Sequence, residues 1–400
     1  MDARHGAMIE LRVWFGGGLF SEMSIFEHVL TFIHRPEPER FERLALDVFR
    51  HQFASIRPYR RYCEGLGVDA SRVTRLDDIP AVSNVAFKYA NLSSDEGARS
   101  PDAKVFLTSG TTRGRANRGR HLVPRPEIYR ASATAHLRTM LFPDALRTAV
   151  LALHPTANVM PESSLSTMVT WCIEEFGNGR HLGAASRDSV DVNAAIRFLA
   201  DAESRREPVS ILGTTAASAA LFGELRDRRL TLRLPGGSRM MDTGGVKGQA
   251  TPMSPAEVVA SAGELLAIGP EMVINEYGMT ELCSQLYDET PFNRSNAANL
   301  VARFKIAPPW LRVTARDPAT LLPVLAGEPG LLTFFDLANV GSVSAVMTED
   351  VGSVEGGRVR VLGRSSAGEA RGCALAIEQF AANDRVRRTI ATLDSSEATR

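Results

Sequence analysis

Two hydrophobic rhythms alternate along this chain. Between Met23 and about Gly65, Phe41, Leu44, Leu46, Val48, Phe49, Phe53 and Ile56 recur among glutamates and arginines, which predicts helix. Pro36 and Pro38 predict a break into two helices. The stretch LDDIPAVSNVAFKYANL (76–92) mixes turn signals with apolar residues and leads to a short apolar strand at 105–107. Beyond a run of arginines, a helix is predicted over roughly 126–142. RTAVLALHP (147–155) and PVSILGTT (208–215) are continuous apolar runs, the pattern of strands covered on both faces. Helices are expected at Ser163 to Phe176, at 191–204 with Asp191 as N-cap, and at 216–229. Strand and loop follow at 233–245. A further helix over 254–268 carries Ser254 and Glu257 at capping-box spacing and Pro255 at its first position. MVINEYGMTE (272–281) reads as strand, then loop.

Strands alternating with amphipathic helices predict an α/β fold with largely parallel sheets and flanking helices. In such sheets binding sites form beyond the carboxyl ends of the strands. The loops at 108–114, 242–248 and 277–281 are therefore expected to face one cleft. Past about residue 305 the texture changes to short strands separated by Gly, Pro and Asp, a β-rich part built of hairpins, with Gly356-Gly357 placed for a turn. The expected organisation is a leader at 1–22, an α/β core at 23–305, a β-rich subdomain at 306–364 and a short C-terminal piece at 365–400.

Composition narrows the class without choosing a function. The chain has 400 residues, 44% hydrophobic and 23% charged, enough for a large core. Its 46 basic and 46 acidic residues balance, which argues against a nucleic-acid coat and gives no general attraction to an anionic membrane. No apolar run reaches a bilayer-spanning length and the N-terminus has no secretory pattern. Cys63, Cys172, Cys283 and Cys373 are scattered, with no metal or disulfide spacing, so a reducing cytoplasm is the expected compartment.

The chemistry begins with VFLTSGTTRGRANRGRH (105–121). Thr108, Ser109, Gly110, Thr111 and Thr112 offer backbone N–H groups and hydroxyls to an anion. Arg113, Arg115, Arg118 and Arg120 add charge. A nucleotide polyphosphate is the simplest ligand, and a solvated turn before a basic surface strip is the other reading of the same residues. Three further segments follow in order: DTGGVKG (242–248), NEYGMTEL (275–282), and TEDVG with LGR (348–352 and 362–364). Together the four resemble the adenylate-forming superfamily, and most closely the acyl-protein synthetase family, over about residues 40–380.

The resemblance implies an adenylate-forming fold and an enzyme that uses ATP and Mg2+ to convert a carboxylic acid to acyl-AMP, then passes the acyl group to a thiol. It implies that Thr108, Ser109, Gly110, Thr111 and Thr112 hold phosphate oxygens, that Glu281 ligates magnesium and that Thr280 meets the α-phosphate. By the same resemblance Tyr277 and Gly278 lie beside adenine, Gly244 and Gly245 form the adenine-side loop, Asp350 accepts the ribose hydroxyls and Arg364 follows it. Lys247 is implied to contact phosphate or the acyl carboxylate, and His154 and Gly213 to approach the acyl pocket. Each has a plainer reading: Glu281 an exposed loop acid, Asp350 a turn residue, Tyr277 core, Lys247 a solvated lysine, His154 a hydrogen-bonded strand end.

Two departures stand out. The phosphate loop continues Arg113, Gly114, Arg115 where the superfamily has Gly-Pro-Lys-Gly, and GRSSAGEARG (363–372) puts Ser366 and Glu369 where larger relatives have the hinge aspartate and a lysine. With 373–400 remaining, a truncated C-terminal domain is expected. Cys373 matches the family's acyl-accepting cysteine, or is a small buried residue of the apolar CALAI run; Cys283 is the alternative acceptor, and Cys63 and Cys172 are read as structural. An acyl-accepting reductase or carrier protein is the implied partner. The rival functions are direct transfer to CoA or a phosphopantetheine carrier, and a non-catalytic nucleotide-binding subunit.

Overall fold

The computed structural model describes residues 23–94, 100–108, 118–244, 253–293 and 303–365. The expected leader and the C-terminal piece from 366 onward lie outside them.

Five parallel strands form one half of a large sheet: β4 (Thr148–Leu153), β5 (Gly177–Gly183), β6 (Val209–Thr214), β7 (Arg239–Thr243) and β8 (Val273–Tyr277), in the spatial order β8-β7-β6-β4-β5. Their side chains divide by parity. Ala149, Leu151, Leu153, Val209, Ile211, Met240 and Val273 pack against α6 (Val192–Ser204), α7 (Thr215–Asp227) and α8 (Pro255–Leu266). Val150, Ala152, Leu212, Met241 and Ile274 face the opposite layer, which holds α4 (Pro126–Met140) and α5 (Ser164–Phe176). Both faces are covered, which is why these strands are continuous apolar runs rather than alternating ones.

Beyond β8 the same sheet turns antiparallel. Strands β9 (Leu286–Asp288), β10 (Lys305–Ile306), β14 (Arg358–Arg364), β13 (Ala345–Glu355), β12 (Pro329–Asp336) and β11 (Leu311–Arg316) follow in that spatial order. The change of texture after residue 305 thus coincides with a change of strand direction inside one continuous sheet. Gly356 and Gly357 close the β13–β14 hairpin with φ of 55° and 77°, a pair of left-handed positions that glycine occupies without penalty. A separate antiparallel pair, β2 (Lys104–Leu107) with β3 (Arg120–Val123), stands on either side of residues 109–117 in the chain.

Three differences from the pattern have physical reasons. The region from 23 to 65 carries three helices, α1 (Ile25–His34), α2 (Phe41–Ser55) and α3 (Arg57–Gly65), because Pro58 lacks an N–H and its ring excludes a continuous helix. The sequence GNGRHLG of β5 carries no strand signal, and it pairs on only one side, at the sheet edge. The arginine strip enters β3, where His121 and Val123 are buried. The capping box at Ser254 and Glu257 is formed as expected, and Asp191 caps α6.

The N-terminal helices are tied to the antiparallel half by Gln52, which is 1% exposed. Its Nε2 donates to the carbonyls of Asn339 (3.1 Å), Val340 (3.3 Å) and Ser342 and to Ser344 Oγ (2.8 Å), and its Oε1 accepts from Ser344 N–H (3.1 Å). Strand β1 (Val82–Ser83) adds a parallel bridge to β13 at Val346 and Met347. Gln52→Leu would strand these buried groups, so urea unfolding should show a loss of about 3 kcal/mol. An unchanged midpoint would contradict the role given to Gln52.

Candidate functional site

The parallel register lines up the carboxyl ends of four neighbouring strands. Leu153 lies beside Gly213, Gly213 beside Asp242, Thr243 beside Glu276. The residues that follow, His154, Thr214, Gly244 and Tyr277, therefore lie along one edge of the sheet. Close packing there depends on missing side chains. A Cβ on Gly213 would come within 2.8 Å of Leu153 Cβ; one on Gly244 would collide with Thr215 Oγ1, and one on Gly278 with the Glu276 carboxylate.

Beneath this edge lies a buried polar layer. Asp242, 2% exposed, accepts from Thr215 Oγ1 (2.9 Å), Asn275 Nδ2 (3.1 Å) and Ser218 Oγ (3.3 Å), yet burial still holds its carboxyl above the usual range. Lys305 Nζ donates to Asn275 Oδ1 and Asp288 Oδ1, both at 2.7 Å. Thr243 Oγ1 donates to the Glu276 carboxylate. These groups fix the strand ends rather than face a ligand.

Across the change of strand direction, three of the residues singled out in the sequence touch one another. Tyr277 Oη donates to Asp350 Oδ2 at 2.7 Å, and Arg364 Nε donates to Asp350 Oδ1 at 3.3 Å. Asp350 and Arg364 are direct cross-strand neighbours on β13 and β14. Asp350 N–H is held by Thr348 Oγ1 at 3.1 Å. Phe334 on β12 lies against the Tyr277 ring, centroids 5.9 Å apart and planes 19° from parallel. Burial, then the Asp350 carboxylate, push the Tyr277 phenol well above its ordinary pKa, so it is a donor throughout the physiological range.

The loop between β8 and β9 carries Thr280 and Glu281 and is pinned through its backbone. His121 Nδ1 donates to the Thr280 carbonyl at 2.7 Å. Asn339 Nδ2 donates to the Glu281 carbonyl at 2.8 Å, and Cys283 N–H donates to Asn339 Oδ1 (2.9 Å) and Asp336 Oδ2 (3.0 Å). Asp336 is fully buried, which pushes its carboxyl up to about 6 even though Ser284 Oγ and two backbone N–H groups donate to it. Glu281 is 7% exposed, which removes its reading as an exposed loop acid.

Thr108, the last described residue before 109–117, is tied to Gly119 beyond it. Its N–H donates to the Gly119 carbonyl (2.9 Å) and its Oγ1 accepts from Gly119 N–H (2.8 Å). Arg118 reaches back to the carbonyls of Thr108 (2.5 Å) and Leu107 (3.2 Å), so it braces this pairing. His154 Nε2 is 3.2 Å from Ser166 Oγ, and burial lowers its pKa to about 4, so it is neutral at physiological pH. Ser109, Gly110, Thr111, Thr112, Gly245, Lys247 and Cys373 lie outside the described residues.

The cysteines separate clearly. Cys283 is 1% exposed, and burial with the nearby Asp336 carboxylate pushes its thiol pKa well up. A thiol held protonated and away from solvent has the environment of a structural cysteine rather than of a reactive one. Cys63, pushed up to about 12, and Cys172 are likewise buried. Among the described residues no cluster of three or more His, Cys, Asp or Glu could hold a metal by itself.

Several residues that shape the site carry no sequence signal of their roles: His121, Asn339, Asp336 and Phe334. Each acts through a contact to a residue far along the chain, and none stands in a recognisable spacing with its partner.

A family model described as acyl-protein synthetase, LuxE, matches residues 35–381. The long-chain-fatty-acid–luciferin-component ligase of Aliivibrio fischeri is 23% identical over 377 residues, covering 87% of this chain and 92% of that protein. The ligase of the same name from Vibrio harveyi is 22% identical over 366 residues, covering 84% and 87%. Among solved structures, a 2-hydroxyisobutyryl-CoA ligase in the postadenylation state, in complex with 2-HIB-AMP, superposes with a TM-score of 0.61 at 15% identity, over 82% of this chain and 69% of that one. At that identity the likeness shows the fold, an adenylate-forming one.

Proposed function

The chain belongs to the acyl-protein synthetase family, and from that premise we propose that it joins a carboxylic acid to ATP and passes the acyl group to its own Cys373, then to a partner protein. The observation that carries this reading is the contact of Tyr277, Asp350 and Arg364, residues from two halves of the sheet that meet in the order and company an adenylating site needs.

In this reading a flat base lies against the face of Tyr277 turned away from Phe334, near the backbone of Gly244 and Gly278. Asp350 keeps lone pairs on both carboxylate oxygens and accepts the ribose hydroxyls, with Tyr277 and Arg364 fixing its plane. The phosphates lie toward Thr108 and the 109–112 loop, and Lys247 meets phosphate or the acyl carboxylate. The acid enters near His154 and Gly213; a neutral imidazole there adds no charge to repel or trap an apolar chain.

The acid's carboxylate oxygen attacks the α-phosphorus. A new C–O–P anhydride forms, the bond to the β-phosphate oxygen breaks, and pyrophosphate leaves. Thr280 donates its hydroxyl to the α-phosphate oxygens. A buried carboxylate such as Glu281, with phosphate oxygens as the other ligands, suits Mg2+, which would screen the charge on the phosphates. The thiolate of Cys373 then attacks the acyl carbon, a thioester forms, and AMP departs. Residues 23–305 serve as the adenylation core, 306–364 as its β-rich part, and 365–400 as the acceptor segment.

The named substrates of the two relatives are long-chain fatty acids, so a fatty acid heads the panel to test and aryl acids follow. A reductase or carrier protein is the fitting acyl recipient. Among the described residues no helix is long and apolar enough to cross a membrane. ATP–pyrophosphate exchange should depend on one acid of the panel, and radiolabelled acyl should remain on the protein in gels. Cys373→Ser should abolish the label and leave exchange within about 2-fold of the parent, since adenylation precedes the thiol step. An undiminished label would eliminate Cys373 as acceptor, and absence of exchange with every acid would favour a binding subunit.

A further inference from the structure

We infer that His121 is a positioning residue that ties the backbone of the Thr280–Glu281 loop to strand β3 and so holds Thr280 and Glu281 in place. The inference rests on the nucleotide reading of that site only for its catalytic consequence; the mechanical link stands on contacts alone.

His121 lies on β3 and is completely buried. Its Nδ1 is 2.7 Å from the Thr280 carbonyl oxygen. A carbonyl can only accept, so Nδ1 carries the hydrogen and the tautomer is set. Burial lowers the ring's pKa to about 4, so Nε2 holds a lone pair at neutral pH. That Nε2 has no hydrogen-bond partner among the described residues. A buried polar atom left unsatisfied is a cost that an apolar side chain of similar size would avoid. The ring is further fixed edge-on by Phe87, centroids 5.4 Å apart at 80°. What the imidazole contributes at this position, and phenylalanine or leucine would not, is the single N–H aimed at Thr280.

The two ends of that bond lie on β3 and on the loop that carries Thr280 and Glu281. β3 pairs with β2 at Phe106↔His121 and Leu107↔Arg120, one residue short of the Thr108–Gly119 pair. Thr280 and Glu281 sit at the far side, where Asn339 holds the next carbonyl. Asn339 and Asp336 fix the loop against the antiparallel half of the sheet. His121 fixes it against the β2–β3 pair. Small misplacements of groups that meet phosphate cost large factors in rate, and residues behind metal-holding carboxylates commonly tune affinity for the ion by 10-fold or more.

The test compares two variants in the full chain. Asparagine places an amide nitrogen where Nδ1 stands, so His121→Asn keeps the donor, whereas His121→Phe keeps the ring and removes it. Amide hydrogen exchange read by mass spectrometry should show 278–284 exchanging about 10-fold faster in His121→Phe, with the β4–β8 strands unchanged, and near-parent protection in His121→Asn. In ATP–pyrophosphate exchange, His121→Phe should lose about 10-fold in kcat and need several-fold more Mg2+ for half-saturation, with the KM for the acid unchanged, and His121→Asn should recover most of both. Equal protection of 278–284 in His121→Phe and parent would overturn the link itself. Faster exchange of 278–284 in His121→Phe without any change in kcat or Mg2+ requirement would retain the link and remove its catalytic role. If the parent shows no pyrophosphate exchange at all, the nucleotide reading fails, and the hydrogen-exchange comparison still decides the role of His121.

Discussion

Glu281→Gln should cost acid-dependent ATP–pyrophosphate exchange about 100-fold or more while leaving the unfolding midpoint near that of the parent. The substitution keeps volume and removes one negative charge. The carbonyl of Glu281 itself is held by Asn339 and the preceding carbonyl by His121, so the backbone should keep its path when the side chain changes. The loss should therefore be one of charge and of ion affinity, seen as a raised Mg2+ requirement. Exchange within 3-fold of the parent would remove Glu281 from the ion-holding role and leave its burial to be explained by packing.

The second large effect is on acid stability. His121 and His136 are buried and neutral, each with a pKa lowered to about 4 by burial. His136 Nε2 donates to the Ile306 carbonyl at 3.1 Å, and its ring packs on Tyr287 and Trp310. In the unfolded chain a histidine protonates near 6.5. The fold thus holds its full stability above about pH 6.5 and loses it as pH falls toward 4, by about 3 kcal/mol for each ring. His154 retains part of its surface and contributes less. Asp336 has the opposite sign: its folded pKa of about 6 lies above the unfolded value, so acidification relieves a cost of similar size for one group. The balance is a net loss of a few kcal/mol between pH 6.5 and 4. Urea midpoints measured across that window should fall steadily. His136→Gln, which keeps a donor at the Nε2 position, should flatten the fall, and combining it with His121→Asn should flatten it further. Midpoints independent of pH, or a fall unaltered in the double variant, would show that other groups govern acid unfolding.

What the sequence made legible is local and repetitive. The buried strands announced themselves as apolar runs, α8 by the Ser254–Glu257 capping box, and the β13–β14 turn by two glycines. The motif segments at Tyr277, Glu281 and Asp350 were visible because residue type and order along the chain carry them. Strand β5 was not visible, because an edge strand rich in glycine and polar residues needs only one partner and little apolar surface. Gln52 and Asn339 were invisible for another reason: each satisfies backbone groups, which every sequence supplies identically, so nothing in the partner's side chains marks the contact. His121 shares that property, since its target is the carbonyl of Thr280. The buried Cys283 shows the complement: its place near Glu281 suggests reactivity, and its burial beside Asp336 is visible only in the fold.

The bonds from Gln52 to Ser342 and Ser344 also bear on how the protein is made. They join residues 290 and 292 positions apart, and β1 waits for β13 over a similar span. At ribosomal speeds of about 5–20 residues per second, α2 emerges roughly 15–60 seconds before its polar partner exists. During that interval the apolar faces of the first three helices have no sheet to cover them. The parallel half, β4 to β8, is complete at Tyr277, shortly before Ser342, and offers a folded platform only for the last part of that interval. Among the described elements the antiparallel half is therefore the last to emerge, and its arrival closes the core and seats Asp350 beside Tyr277.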